Sequence, residues 1–514
     1  MTIPYIKYNN LYWIIFIGFI HNIIFGIDMY DVYHICKNKS PALRLQNETL
    51  YEKEGVFQSV KGYYDWTFSN ELSSGKRYRP PTEGEQVLSL WGLDEVQSTQ
   101  FSTSLGILKL FKYGTIINPS IVLNKADAGL PWSEPAYSVD MTISLVQPLF
   151  RLGNSKYQAI YKAAELDLES EKSGTKHIFS TQLYYVLTAY WNYNTARDNH
   201  QIYLKSESKS NQFYEETLEL IKADIRPESD INQLEADLAE KKVSLIQSGQ
   251  MIIEYKKNLC QLLGVGFDEL EQLNTGFSTF PENINIQSIT SVPDEQLSAM
   301  ALQNRMDFLS ASLDIKSAEV LLKSAKRDKL PDLSLEGLYG INGTDMGTSF
   351  GEAIKNNDSQ LSNFGIKLNL NLPLSNNTAR GQYIQSKTLK NKAQINYEHQ
   401  RNTIRLEVIT AKNNLIAAKK SLDQVEKSVD RYNTVLDNEK LKFKEGITTL
   451  MELLLLQDRL ILAELNLAAV RNKYIKAIIR FRYQIGILIP EQELSRQMLN
   501  EHFISIPAFN QDPN

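Results

Sequence analysis

The chain runs to 514 residues yet holds only two cysteines, Cys36 and Cys260, too few for a disulfide framework. Both lie in helix-like segments, where a thiol behaves as a small buried hydrophobe. Long apolar runs are equally scarce: beyond the N-terminus no stretch of about 18 apolar residues occurs. A later membrane-crossing helix is thereby excluded, and any crossing there must be made by strands. A net charge of -5 gives no nucleic-acid footprint, which needs clustered Lys and Arg. No phosphate-binding loop is present, and the six His residues show no metal-ligand spacing such as H-E-x-x-H. With no acid, base and nucleophile constellation to assemble, the reading is of a non-enzyme with no cofactor and no metal. Proline is sparse, at 16 residues, which leaves room for long uninterrupted helices.

The N-terminus does carry an apolar run. Lys7 precedes residues 11–26, a run interrupted by His21 and Asn22 and about the length of a secretory signal core. Residues 1–26 are therefore expected to be a signal peptide with Gly26 at its end; an uncleaved anchor helix is the other reading.

Four segments alternate with period two. Tyr64, Trp66 and Phe68 oppose Asp65, Thr67, Ser69 and Glu71; Tyr137, Val139, Met141, Ile143 and Leu145 oppose Ser138, Asp140, Thr142 and Ser144. Leu333, Leu335, Tyr339 and Ile341 oppose Asp332, Ser334 and Glu336, and Phe364, Ile366, Leu368, Leu370 and Leu372 oppose Gly365, Lys367, Asn369 and Asn371. One apolar face against small polar residues is the pattern of transmembrane barrel strands; a soluble sandwich would carry more charge on its polar face. Tyr64, Trp66, Trp132, Tyr137 and Tyr339 are candidates for interfacial aromatic belts. Segments 101–111 and 115–124, joined by Lys112-Tyr113-Gly114, read as a hairpin that either extends the barrel or forms an external flap.

The helical signal is stronger. Ile404, Val408, Ala411, Leu415, Ala418, Leu422, Val425, Val429, Tyr432 and Leu436 alternate steps of four and three, the heptad of a coiled coil. Leu453, Leu456, Leu460, Ala463, Leu467, Val470, Tyr474, Ala477 and Phe481 repeat it, and Phe179, Leu183, Val186, Tyr190 and Tyr193 show it earlier. Long helices are expected over 155–223 and 378–444, ending near Pro227 and Gly446. Shorter ones are expected over 29–61, 230–263, 294–327 and 449–487, with Ser229 or Asp230 and Thr448 or Thr449 as caps. A strict seven-residue period packs helix on helix with left-handed supercoiling.

The order short helix, strands, long helix, tight turn, returning helix occurs twice. Val146-Gln147-Pro148-Leu149-Phe150 corresponds to Leu372-Pro373-Leu374, and Asp230-Ile231 to Glu452-Leu453. The division expected is 27–265 for the first repeat, 266–293 for a linker, 294–489 for the second repeat and 490–514 for a C-terminal tail.

On these motifs, with Arg305-Met306-Asp307, Leu330-Pro331-Asp332-Leu333-Ser334-Leu335 and Gly446-Ile447-Thr448-Thr449-Leu450-Met451-Glu452, the sequence resembles the TolC family of outer-membrane efflux proteins. The resemblance implies a mainly α fold with a transmembrane β-barrel: long antiparallel coiled-coil hairpins in tandem duplication, four barrel strands per chain and a homotrimer sharing twelve. It implies passive exit across the outer membrane, with a tunnel through the periplasm, for substrates driven by an inner-membrane pump through a periplasmic adaptor (membrane fusion protein). Type I protein secretion is an alternative use, and a pore-free periplasmic coiled-coil protein is an alternative of another class. By position the resemblance puts a periplasmic gate at Asp230 and Glu452 with Phe443 as aromatic partner. Thr448 stands where a gating Arg is common and Leu455 where a second acid could be. Asp230 and Glu452 could equally be plain first-turn or capping acids. Arg226, Pro227 and Gly446 are the candidate adaptor-contacting tip turns.

Overall fold

The computed structural model describes residues 27–89, 92–150, 156–222, 227–272, 280, 287–356, 362–445 and 447–506. The expected signal peptide, Arg226 and Gly446 lie outside these residues. Among the described residues no helix is long and apolar enough to cross a membrane.

The principal helices are α1 (Met29–Lys39), α2 (Pro41–Lys61), α3 (Lys156–Lys222), α4 (Ser229–Leu263), α5 (Asp294–Asn304), α6 (Met306–Arg327), α7 (Asn377–Lys444), α8 (Leu450–Ile485) and α9 (Arg496–Ile504). The strands are β1 (Trp66–Arg79), β2 (Val96–Leu110), β3 (Ile116–Asp127), β4 (Ala136–Pro148), β5 (Asp332–Met346) and β6 (Asn363–Asn371). With 67 and 68 residues, α3 and α7 are each about 100 Å long at 1.5 Å per residue.

The chain forms two compact units that cut across the division expected along the sequence. One takes the described parts of 1–50, 172–310 and 398–514; the other takes 51–171 and 311–397. Both halves of the chain thus contribute to both units.

The first unit is helical, and the heptads supply its core. Ile404, Val408, Ala411, Leu415, Ala418 and Leu422 are all at most 2% exposed, which makes them a packed seam. They share a cluster with Tyr474, Ile478 and Phe481 of α8. A second cluster joins Leu183, Val186, Leu187 and Tyr190 of α3 to Val32 and Cys36 of α1 and Leu259 and Cys260 of α4. Both cysteines are free and buried, and burial pushes the Cys36 thiol up to about 12. Residues 490–506 are no loose tail: Leu499 and Phe503 of α9 join this same cluster. Arg496 of α9 pairs with Asp28 and Asp31, both at 2.8 Å.

Two helices expected to be continuous are broken. Over 29–61 the break falls at Ser40, because Pro41 has no N–H to continue the ladder. Over 294–327 it falls at Arg305, which leaves the helical region at ψ 117. The Arg305 side chain is buried and donates four hydrogen bonds: Asp307 accepts at 2.7 and 3.1 Å, Glu407 at 2.7 Å and Gln484 at 2.8 Å. Asp307 also accepts from Gln400 at 2.8 Å. Against its burial, the bonds from Arg305 keep the Asp307 carboxyl below the usual range. The Arg-Met-Asp motif is an ion lock that holds a helix break.

The second unit contains one antiparallel sheet in the order β1-β2-β3-β4-β5-β6. All four expected strand segments are in it. The 101–124 hairpin, left open between barrel and flap, is β2–β3 and is paired into the same sheet between β1 and β4. The sheet therefore has six strands among the described residues, where the resemblance implies four. The added pair was not legible as part of this sheet because its alternation is interrupted, with Thr103 and Lys109 on the side of Leu105 and Ile107.

Candidate functional site

The ladder fixes which residues share a face. One row crosses all six strands as Ser69, Gly106, Ser120, Thr142, Gly340 and Asn363, every neighbour directly paired. The adjacent residues on the opposite face include Phe68, Ile107, Ile143, Tyr339 and Phe364. Period two carries this contrast along each strand, so the sheet has an apolar and a polar face. On the polar face Ser120 and Thr142 lie 2.8 Å apart, and Ser102 donates to Asn124 at 2.5 Å. On the apolar face of β6, Phe364, Ile366, Leu368 and Leu370 are 62–73% exposed, although a folded chain in water would bury such a row.

The belt candidates separate. Trp66 opens β1 opposite Lys109, exposed on the apolar face. Tyr137 pairs with Lys125, eight residues of ladder away from the Leu145 that shares the row of Trp66, or about 26 Å of strand. Its ring meets Phe350 edge-on at 5.0 Å. Trp132 is exposed in the β3–β4 connection. Tyr339 is one row in from Trp66, between Ile143 and Phe364. Tyr64 instead packs on Tyr161 of α3 just before β1, with its hydroxyl buried.

In the helical unit, the second turn is the more elaborate. Thr449 caps α8, accepting from the Glu452 N–H at 3.3 Å, and the Glu452 carboxylate accepts from the Thr449 N–H at 3.2 Å. Thr448, buried, donates to the same carboxylate at 2.6 Å. That hydroxyl, then the Thr449 N–H, hold Glu452 below the ordinary carboxylate range. Glu439 of α7 is also held low, by the Thr448 hydroxyl first and then by Lys442 at 3.0 Å. One hydroxyl has one proton, and the 2.6 Å contact assigns it to Glu452, leaving Glu439 chiefly to Lys442.

The first turn is barer. The N-cap of α4 is Glu228 with no side-chain cap bond, so neither Ser229 nor Asp230 caps it as expected. Asp230 lies in the first turn and its carboxylate has no partner among the described residues. Pro227 is exposed beside it, its carbonyl accepting from the Asp230 N–H at 3.1 Å. The structure brings Thr448 and Glu452 together but does not join Asp230 to them. Phe443 is buried among Leu436, Leu450 and Leu453, its ring 5.4 Å from that of Phe213. Its position was legible, seven residues after Leu436 in the same heptad.

Sequence reasoning missed the tie between the two returning helices. Lys241 of α4 bonds Asp458 of α8 and lies 3.2 Å from Asp237, which itself accepts from Ser210 at 2.6 Å. Burial works against the Lys241 ammonium, but these acids outweigh it and raise its pKa. Nothing local in the sequence links residues 217 positions apart. Beside this tie a groove of about 1240 Å³ opens between α3, α7 and α8, lined by Phe213, Lys241, Phe443 and Leu460 among others.

A family model described as "Outer membrane efflux protein" matches residues 297–486. Over that segment the chain is similar to the outer membrane efflux protein family. Among solved structures, the CmeC outer membrane channel of Campylobacter jejuni is similar at 14% identity and TM-score 0.63, covering 92% of this chain and 89% of that one. VceC of Vibrio cholerae, at 14% and 0.63, covers 89% and 96%. The open state of the Neisseria gonorrhoeae MtrE outer membrane channel, at 14% and 0.62, covers 90% and 89%. No curated protein matches the sequence. At such identities these likenesses speak for the fold, which extends well beyond the matched segment.

Proposed function

We propose that three copies of this chain close one barrel and one helical tunnel, giving passive exit to substrates delivered by an inner-membrane pump through a periplasmic adaptor. The observation that carries this is the two-faced sheet with open edges. Among the described residues β1 and β6 each pair on one side only. In lipid, unpaired strand edges are untenable, and only a closed barrel satisfies them. Six antiparallel strands leave β1 and β6 running in opposite directions, so β6 of one copy can pair with β1 of the next and the ring closes head to tail. The apolar face then meets lipid and the Ser/Thr/Asn face meets water. The number three is taken from the family resemblance.

In this reading the helical turns are the pump-side end. Pro227, with Arg226 and Gly446, belongs to the tips that meet the adaptor. Glu452 with Thr448, and Asp230, stand at the gate, with Phe443 packed behind. Purified protein should run as a heat-resistant trimer and open pores in planar bilayers. Replacing Asp230 and Glu452 by Ala should raise their conductance. A trimer that forms no pores sinks the duct.

A further inference from the structure

We propose that the β2–β3 hairpin is membrane wall, so that each copy contributes six strands and the trimer closes a barrel of eighteen. The proposal rests on the trimeric duct above and fixes its width. Three observations carry it. First, β2 and β3 stand between β1 and β4, which do not pair with each other; a hairpin folded away as a flap would open two further edges. Secondly, at 15 and 12 residues both strands exceed the 9–11 needed to cross the hydrocarbon core. Thirdly, both faces continue across the hairpin without a change of sign. Leu105, Ile107 and Ile121 join Phe68 of β1, Ile143 of β4 and Tyr339 of β5 in lining a shallow apolar trough of about 420 Å³. On the reverse side Ser104, Ser120 and Asn124 keep the small polar character of the water-facing row. A flap over the external mouth would be wetted on both faces and would have no use for such a stripe.

The consequence is a wide exit. Barrel diameter grows roughly linearly with strand number, so eighteen strands give about 1.5 times the diameter of twelve and about 2.2 times the cross-section. Strands of that number enclose an aqueous channel rather than a side-chain core. Cargo size is then limited at the helical turns, not in the membrane, and the barrel passes bulky solutes that have cleared the gate.

Site-directed spin labelling of the full-length trimer in lipid tests the proposal. Ile107→Cys and Ile121→Cys probe one face of the hairpin, Ser104→Cys and Ser120→Cys the other. Leu145→Cys and Ser144→Cys serve as references on β4. The unaltered chain, whose two thiols are buried, is the blank. Labels at 107 and 121 should collide several-fold more with oxygen than with a water-soluble nickel chelate, as at 145. Labels at 104 and 120 should reverse that ratio, as at 144. Nickel-dominated collision at all four hairpin sites, with alternation kept on β4, overturns the proposal and leaves the duct standing. Loss of alternation on β4, or a monomer, overturns both. Density for the trimer in lipid gives an independent count: eighteen strands support the proposal, twelve refute it.

Discussion

The two copies of the helical hairpin are alike at one end and unlike at the other. At the inner end α4 and α8 both stop at a left-handed glycine, Gly264 at φ 73° and Gly486 at φ 82°. Each glycine is pressed against the break between two short helices. A Cβ on Gly264 would lie 2.6 Å from Pro41 Cδ and 2.8 Å from the Lys39 carbonyl; one on Gly486 would lie 2.9 Å from the Asn304 carbonyl carbon. Two residues before each glycine, the chain receives the break residue: Ser40 donates to the Leu262 carbonyl at 3.2 Å, and Arg305 donates to the Gln484 side chain at 2.8 Å. At the turns, by contrast, the second copy has a full capping box and the first has none. Packing constrains the inner ends, so close approach preserves the geometry while the chemistry of the bond drifts from serine to arginine. The turn before α8 is packed as well, with Leu450 and Leu453 buried against Phe443, yet the two turns differ in their caps.

The largest expected effect tests the likeness. Gly264→Ala and Gly486→Ala should each cost about 2–5 kcal/mol, from a non-glycine left-handed residue and an overpacked contact. Both should lower the thermal midpoint of the protein by similar amounts. An Ala tolerated at either position would break the equivalence of the two ends.

A smaller effect sharpens the contrast by severing an ionic tie between the copies near their turns. Lys241→Met leaves Asp237 and Asp458 without their shared cation. Asp458 is 47% exposed, so solvent recovers part of the loss. The expected cost is about 1–2 kcal/mol, read as roughly 5–30-fold faster hydrogen exchange in the first turns of α4 and α8. Unchanged exchange would mean that the turns are held apart from this bridge.

What the sequence made legible follows from range. The heptads needed only neighbours three and four residues away, and the stripe from Ile404 to Leu422 is buried throughout. Alternation likewise identified both faces of β4, β5 and β6. The break at Pro41 had a local sign in proline; the break at Arg305 had none, because arginine favours helix and the cause lies in Glu407 and Gln484, about 100 and 180 positions on. The β2–β3 hairpin was legible as a hairpin but not in its place within the sheet, and the Lys241–Asp458 bond joins distant segments that no periodicity reports. At the candidate gate, sequence position brought Glu452 to notice, but not the buried Thr448 hydroxyl that holds it.

The smallest effect separates the two turns by acidity. Thr449→Ala removes a capping oxygen and should cost about 1 kcal/mol in local opening of α8, whereas Ser229→Ala, at an uncapped turn, should change α4 by less than about 0.5 kcal/mol. Proton uptake should tell the same story. Glu452 and Glu439 have folded pKa values below those of the unfolded chain. Their contribution is therefore complete above the ordinary glutamate value of about 4.3 and is lost as pH falls through the depressed folded values. Below pH ~4 the turn before α8 should open progressively while the turn before α4 shows no matching acid transition from a capping bond. Hydrogen exchange in the first turn of each returning helix, followed from neutral to acidic pH, reads the difference after correction for intrinsic rates. Parallel acid opening of the two turns would show that the capping box adds nothing the bare turn lacks, and the divergence of the tips would then be one of sequence without energetic meaning.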